Sequence, residues 1–327
     1  MKKKINIKLE ANSLIMIIMI ALCIVVFTSI NKNYFTYTNF VNILLASTSI
    51  GLTAIGITFL MMIGGTDLSA GALAACCGVF MAYALSHWAI PWYIDLLLCL
   101  AIAAIAGLIN GLLITRLNLV PFIATLVSQS IWKGVGYLIC DGKPIPVVDA
   151  AFTSVVKYKI FGITIPIYLM FVFFAIFSFV LSKTRFGRSV FAIGGNPEAA
   201  RLAGINSKRV TVLCYVMTSM FACLAGVILA GRMASGQPSA NANIHFDAIT
   251  AANLGGVSMV GGIGSIPSVV LGVLLVQAFN SGLNMAGVSQ YWQYVAKGVL
   301  LLGSLGLDFY RQKARNKKLM KEAMKNL

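Results

Sequence analysis

The sequence predicts an all-α polytopic membrane protein with about ten transmembrane helices and both termini in the cytoplasm. Hydrophobic residues make up 59% of the 327 residues and charged residues only 10%, which is more apolar surface than one soluble globule can bury. The apolar residues gather in stretches of about 20, the length at which a helix crosses the hydrocarbon layer. Basic residues cluster in alternate connections between these stretches, which indicates a fixed orientation.

Ten apolar stretches lie within what we predict to be a single transmembrane domain, residues 1–327. Helix is the expected conformation because a chain crossing lipid must satisfy its backbone hydrogen bonds internally, and the alternating pattern of a membrane β-barrel is missing from the sequence. In the regions 42–86 and 247–285, broken or re-entrant helices are an alternative to complete spans. In chain order the predicted spans are 12–31, 42–63, 68–86, 91–114, 121–139, 163–182, 210–230, 247–264, 267–285 and 291–309.

The orientation of these spans follows from the basic residues. With a cytoplasmic N-terminus, 18 of the 25 basic residues fall on the cytoplasmic side and five outside, as the positive-inside rule expects for an even number of spans. The basic tail at 310–327 is then cytoplasmic. The +16 net charge is explained by this topology, so we expect no nucleic-acid partner. The seven cysteines lack C-x-x-C spacing, and we predict no metal site and no catalytic site.

The most informative cytoplasmic connection is the loop at 183–209. Within it, Gly194–Asn196 is expected to form a turn, and Pro197 suits the first position of a helix. Glu198 would then lie in the first turn, where the helix dipole favours an anion, and Gly204 is a suitable C-terminal cap. The pattern predicts a short helix at 197–205. An ordinary amphipathic surface helix would show the same local signals.

The spacing EAA-x-x-x-G in this basic loop resembles the coupling loop of ABC importer permeases. The resemblance implies that this short helix docks in a groove of a separate ATPase subunit, as it does in that family. The I-x-L-P tail that follows the glycine in maltose-type permeases is missing after Gly204, which leaves the docking contacts open. The resemblance, together with the flanking TRFGRS segment, implies an ATPase-coupling set of Arg185, Gly187, Arg188, Glu198, Ala199, Ala200 and Gly204.

Four further motifs resemble the monosaccharide branch of these permeases, the ribose and galactose type also called carbohydrate uptake 2. They are TRFGRSVFAIGGNPEAARLAGI, GGTDLSAG, ANLGGVSMVGGIGS at 252–265, and SQYWQYVAKG followed by LGLD. The resemblance extends from about residue 40 to Asp308. GGTDLSAG, YWQY and the loop favour the galactose or methyl-galactoside members, although permeases for ribose and xylose share most of the pattern.

The resemblance implies a transport subunit rather than an enzyme, located in the cytoplasmic membrane of a bacterium. No G-x-x-x-x-G-K-[ST] motif occurs, so this chain is expected to bind no ATP and no other cofactor, and ATP would be used by a partner subunit. The implied partners are an ABC ATPase subunit, an extracytoplasmic sugar-binding protein, a second permease chain that we expect to be an identical copy, and membrane lipid.

A sugar path needs uncharged polar groups and aromatic faces inside the spans. Each such residue has an alternative role as an interhelical hydrogen bond that holds two spans together. The candidates are Asn110, Gln129, Trp132, Asn253, Gln277, Asn280 and Asn284.

The GGTDLSAG motif places an aspartate between two apolar stretches. We expect Thr66 or Asp67 to cap the helix that follows, with the Ser69 hydroxyl in its first turn, at a tight cytoplasmic turn. These three residues could instead form an inner gate or contact the coupling apparatus. A proton-coupled secondary sugar transporter is the alternative function, with Asp67 as a buried proton relay.

Overall fold

The computed structural model describes residues 3–88 and 90–325. The side chains of residues 3–12 and several side chains beyond 313 lie outside this description. The N-terminal basic residues Lys2, Lys3, Lys4 and Lys8 therefore cannot be compared with the prediction, and neither can part of the tail at 310–327.

The described part of the chain is helical almost throughout. Two short antiparallel strand pairs occur in the connections, β1 (Ile145–Pro146) with β4 (Ser235–Gly236) and β2 (Lys159–Ile160) with β3 (Ile163–Thr164). A single 3₁₀ turn at Lys32–Tyr34 joins the first two helices. The helices are α1 (Lys3–Ile30), α2 (Tyr37–Met62), α3 (Ala70–His87), α4 (Trp92–Arg116), α5 (Pro121–Cys140), α6 (Ala150–Lys157), α7 (Ile165–Lys183), α8 (Arg185–Gly195), α9 (Pro197–Leu202), α10 (Ser207–Met233), α11 (Ile244–Leu254), α12 (Ile266–Met285) and α13 (Gln290–Lys325).

Seven helices of the described chain are long and apolar enough to cross a membrane, namely α1 from Ser13 onward, α2, α3, α4, α7, α10 and α12. This confirms an all-α polytopic membrane protein. Helix α5 has 20 residues, but Gln129 and Lys133 interrupt its apolar run. Helix α13 joins the predicted last span and the basic tail into one helix that reaches Lys325. Ten crossings and cytoplasmic termini stay predictions.

The predicted span at 247–264 was wrong as a complete helix. Helix α11 ends at Leu254 after 11 residues, which is about 16 Å at the helical rise and half of a membrane crossing. Three glycines in the segment that follows, Gly256, Gly261 and Gly262, have positive φ angles, a conformation that no α-helix contains. A glycine-rich connection, residues 255–265, replaces the second half of the span.

The helices differ in how much of their surface the protein itself covers. Of the most apolar 18-residue stretch of each helix, 83% of the residues are buried in α2 and 78% in α3, but only 11% in α1, 28% in α7 and 33% in α4. Helix α10 contacts α2, α3 and α4. Helices α2 and α3 therefore form the centre of the bundle, and the exposed apolar side chains of α1, α4 and α7 lie on its outer surface.

Candidate functional site

A cavity of about 900 Å³ lies between the start of α2, the last turns of α10 and α12, and the start of α13. We call it the outer cavity, after its predicted side of the membrane. Eight carboxamide side chains line it, each able to donate and accept hydrogen bonds without charge. Three of them are predicted path residues, Gln277, Asn280 and Asn284. The other five are Asn33, Asn39, Asn42, Gln290 and Gln293.

One wall of the outer cavity is fixed by hydrogen bonds between the α1–α2 connection and α12. The Tyr34 hydroxyl donates to the carbonyl of Ala278 at 2.8 Å, and the Asn39 amide donates to the carbonyl of Tyr34 at 2.8 Å. Ser281 donates to the Asn39 side-chain oxygen at 3.1 Å. Burial raises the pKa of Tyr34 to about 12, so its hydroxyl stays protonated and remains a donor. Two of these three bonds attach the polar wall to α12.

Arg232 supplies the only formal charge among the described residues that line the outer cavity. It lies in the last turn of α10, and one guanidinium N–H donates to the carbonyl of Leu45 at 3.0 Å. The side chain is half-buried. Sequence reasoning assigned Arg232 only to the count of basic residues outside the membrane, and its role as a cavity residue was missed.

The other four predicted path residues do not reach the outer cavity. Asn110 donates to the Ser69 hydroxyl at 3.0 Å, and Asn253 is buried in α11 with both side-chain polar atoms lacking a partner among the described residues. Gln129 and Trp132 lie on α5, half-buried. These four residues are not part of the outer cavity, because hydropathy locates a polar residue within a span but does not tell which neighbour it faces. Their role in a sugar path stays a prediction.

The asparagines at the start of α2 were missed because only residues inside the predicted spans were considered. The segment NKNYFTYTNFVN, residues 31–42, has four asparagines and two threonines, and the second span was predicted to begin only at its end. Its high density of uncharged hydrogen-bonding side chains was the signal that could have identified this wall of the outer cavity.

The GGTDLSAG turn is buried in protein, with Asp67 only 1% exposed. Ser69, rather than Thr66, occupies the N-cap position of α3, and its own side chain makes no cap hydrogen bond. The Asp67 carboxylate instead accepts hydrogen bonds from the Ser69 backbone N–H at 2.8 Å and hydroxyl at 2.6 Å. The Tyr215 hydroxyl donates to the Thr66 carbonyl at 2.9 Å. The turn is thus held to α10 as well as to α3.

Burial sets the protonation state that Asp67 favours. Its second carboxylate oxygen is buried without a hydrogen-bond partner among the described residues. Desolvation raises the pKa of this carboxyl, and the hydrogen bonds from Ser69 partly oppose the shift. The folded protein therefore favours a protonated Asp67 over a wider pH range than an exposed aspartate.

The segment predicted to form the coupling helix folds as α8 followed by α9, with Asn196 alone between them. The predicted turn at Gly194–Asn196 was wrong for the two glycines, which are the last residues of α8, and α9 ends at Leu202 rather than at 205. The Asn196 side chain accepts hydrogen bonds from the backbone N–H groups of Glu198 and Ala199 at 3.0 Å each, and Pro197 occupies the first helical position. Gly204 has a φ of +79° just after the helix, and Ile205 N–H donates to the Ala200 carbonyl. The predicted helix start and the glycine at its end are confirmed.

Most of α9 faces solvent. Leu202 is 78% exposed, whereas Ala200 is buried against the core. Glu198 and Arg201 form an ion pair, but both side chains are largely exposed, so the pair adds little stability. Arg185 and Arg188 of α8 are exposed as well, while Gly187 packs against the carbonyl of Leu181. The α8–α9 segment therefore exposes one large apolar side chain and two arginines that pair with no acidic residue among the described residues.

Three segments meet at a contact that we call the glycine junction, formed by Met62, Gly194, Gly261 and Gly262. The Gly262 N–H donates to the carbonyl of Met62 at 2.8 Å. A Cβ atom on Gly194 would overlap both the Met62 carbonyl oxygen and the Gly262 nitrogen. The junction connects Gly194, the second-to-last residue of α8, to the end of α2 and to the glycine-rich connection. Coupling-segment residues are therefore in direct contact with two elements of the bundle.

A protein-family model described as "Branched-chain amino acid transport system / permease component" matches residues 39–305. The chain belongs to this permease family. The matched range includes α2, the coupling segment, the glycine junction and most of the outer cavity, and only the cavity residues before Asn39 lie outside it.

Curated relatives of the permease extend over nearly its whole length. The L-arabinose transport system permease protein of Escherichia coli is 36% identical over 86% of each chain. The ribose import permease protein of Bacillus subtilis is 36% identical over 87% of this chain and 89% of its own. The galactose/methyl galactoside import permease protein of Haemophilus influenzae is 35% identical over 92% of this chain and 94% of its own. No solved structure matches the permease. The carbohydrate uptake 2 resemblance is confirmed.

Proposed function

We propose that this permease is the membrane-spanning subunit of an ABC importer that carries a monosaccharide across the bacterial cytoplasmic membrane. The observation that carries the proposal is the exposed coupling segment α8–α9, in a chain that is similar to arabinose, ribose and galactose permeases. The nearly equal identities of the arabinose, ribose and galactose permeases favour none of the three sugars. The GGTDLSAG and YWQY motifs make galactose or a methyl-galactoside the first substrate to test.

The energy for transport would come from a separate ATPase subunit. In this proposal the ATPase docks on the exposed face of α9, with Glu198, Ala199 and Gly204 at the contact and Arg185 and Arg188 beside it. Cationic side chains around an exposed apolar residue complement a partner groove that has acidic groups at its rim. The other proposed partners are a sugar-binding protein on the outer side, a second copy of this chain and membrane lipid.

The outer cavity is the proposed entrance to the sugar path. Its carboxamides can exchange hydrogen bonds with sugar hydroxyls of any orientation, and its volume is in the range of ligand sites. Apart from Arg232, the described lining residues carry no charge, so most of the contacts that a sugar makes there are hydrogen bonds between neutral groups. Gln277, Asn280 and Asn284 are the path residues that this proposal retains.

The docking proposal is tested by copurification of the ATPase subunit with Gly204→Arg. Gly204 has a positive φ and open space around its Cβ position, so an arginine there adds bulk to the exposed face without an internal clash. Gly142→Arg is the matched control, because Gly142 also has a positive φ and open space but lies in the predicted outer connection. We expect Gly204→Arg to lose the ATPase and Gly142→Arg to keep it. Equal retention by both variants would contradict docking at α9.

A proton-coupled secondary transporter predicts a different result in reconstituted vesicles. We expect sugar uptake only when the ATPase subunit and ATP are both present. Uptake that follows a pH gradient without the ATPase would contradict the importer and support the secondary transporter.

A further inference from the structure

We infer that Arg232 makes the outer cavity selective for uncharged sugars against cationic amino sugars. The inference rests on the proposed function, because it assigns a substrate class to the proposed entrance of the path. It concerns a residue that the motifs of the sequence leave unassigned.

The position of Arg232 leaves most of its guanidinium available to a ligand. The group has five N–H donors in a planar fork, and the described residues use one of them, for the Leu45 carbonyl. That bond attaches the last turn of α10 to α2 and holds the fork at the cavity wall. Two neighbouring hydroxyl oxygens of a sugar can accept hydrogen bonds from such a fork.

The charge of Arg232 is not compensated inside the outer cavity. Among the described residues that line it, none is acidic, and the polar ones are carboxamides and hydroxyls. Neither of the two ion pairs among the described residues, Lys297–Asp247 and Arg201–Glu198, involves Arg232. A second positive charge entering the cavity therefore meets repulsion that no nearby anion offsets.

A sugar that carries a protonated amine in place of a hydroxyl binds more weakly in this site for two reasons. Its ammonium group is repelled by Arg232, and it no longer offers an acceptor at that position, since an ammonium only donates. A neutral sugar of the same shape meets neither penalty. The discrimination is set by charge, so an acetylated amino sugar should escape the repulsion.

The test measures binding of galactose, galactosamine and N-acetylgalactosamine to the permease in lipid nanodiscs at pH 6.5, by saturation-transfer NMR. We expect galactosamine to bind at least about fivefold more weakly than galactose to the wild type. Arg232→Gln should reduce this ratio to within about twofold, and Arg232→Lys, which keeps the charge, should preserve it. The affinity of N-acetylgalactosamine relative to galactose should be the same in Arg232→Gln and in the wild type.

Lys32→Gln is the matched control for net charge, because Lys32 is exposed next to the cavity residue Asn33 and is not part of the lining. It should leave the ratio unchanged. Equal binding of galactose and galactosamine to the wild type, or discrimination that survives Arg232→Gln, would overturn the inference. The inference would also be overturned if the wild-type permease gave no signal with any sugar while the complete transporter imported galactose with ATP. In that case the proposed function would stand. Only a failure of ATP-dependent uptake counts against the proposed function itself.

Discussion

Asp67 orders the turn between α2 and α3 through its two hydrogen bonds from Ser69. Both bonds use one carboxylate oxygen, which an asparagine side chain can replace with its own carbonyl oxygen. The other oxygen has no partner among the described residues. A neutral side chain of the same shape therefore fits the site at least as well as the ionised aspartate.

We predict that Asp67→Asn is at least as stable as the wild type at pH 7. A carboxyl whose pKa is raised by folding stabilises the protein below its unfolded pKa, and this contribution is lost as pH rises towards the raised value. The stability of the variant relative to wild type should therefore increase with pH from about 4 upward, by at most about 1.4 kcal/mol per pH unit. Thermal unfolding of detergent-solubilised protein, followed by tryptophan fluorescence, measures this difference.

Transport by Asp67→Asn separates the three roles considered for this residue. A turn-forming role predicts ATP-dependent uptake close to wild type. A proton relay or an inner gate that depends on the charge predicts loss of uptake in a variant that is still folded. Loss of both uptake and stability would contradict the hydrogen-bond account given above.

Helix α11 and the glycine-rich connection depend on α13 for their position. Lys297 of α13 pairs with Asp247 of α11 at 3.0 Å, and the Asp308 carboxylate accepts a hydrogen bond from the Met259 N–H at 3.3 Å. The glycine junction attaches the same connection to α8 and α2. A displacement of α8 by a docked partner would therefore be transmitted to α2 and to the half-span at α11.

We predict that Gly194→Ala uncouples transport from ATP hydrolysis, whereas Gly195→Ala does not. An added methyl on Gly194 would overlap backbone atoms of Met62 and Gly262, and on Gly195 it would meet open space. Neither glycine has a positive φ, so backbone strain is the same for both substitutions. Overpacking of this kind typically costs about 1–3 kcal/mol. Uptake by Gly194→Ala should fall at least about tenfold.

The readout that distinguishes coupling from folding is ATPase activity in the reconstituted complex. We expect Gly194→Ala to keep the ATPase bound and hydrolysing while uptake is lost. Wild-type uptake by Gly194→Ala would remove the junction from the coupling mechanism, and loss of the ATPase from the complex would give the glycine a role in docking instead.

The orientation of the whole molecule can be tested with single cysteines in opposite connections. Lys143 and Lys208 are both exposed, and the predicted topology places the first outside and the second in the cytoplasm. All native cysteines are buried except Cys23, which is partly buried, so background labelling should be low. In intact cells we expect a membrane-impermeant maleimide to label Lys143→Cys and not Lys208→Cys. The reverse pattern would invert the topology.

The sequence by itself determined the properties that depend on composition and local pattern. These are the membrane class, the presence of a helix at nine of the ten predicted spans, the Asn196–Gly204 helix signals and the family. Seven of those nine helices are long and apolar enough to cross a membrane. Hydropathy is evaluated over a window of about 19 residues, and capping residues and motif spacing over fewer, so none of them requires knowledge of neighbouring segments.

Only the tertiary structure decided which polar residues meet. Asn39 and Asn280 are 241 positions apart, yet both line the outer cavity, while Asn110 and Asn253 lie elsewhere. The half-helix α11 and the contact between Gly194 and Gly262 also arise from packing against α2, α8 and α13. The faces that a helix presents to its neighbours are set by interhelical packing, and no local pattern in a uniformly apolar span encodes them.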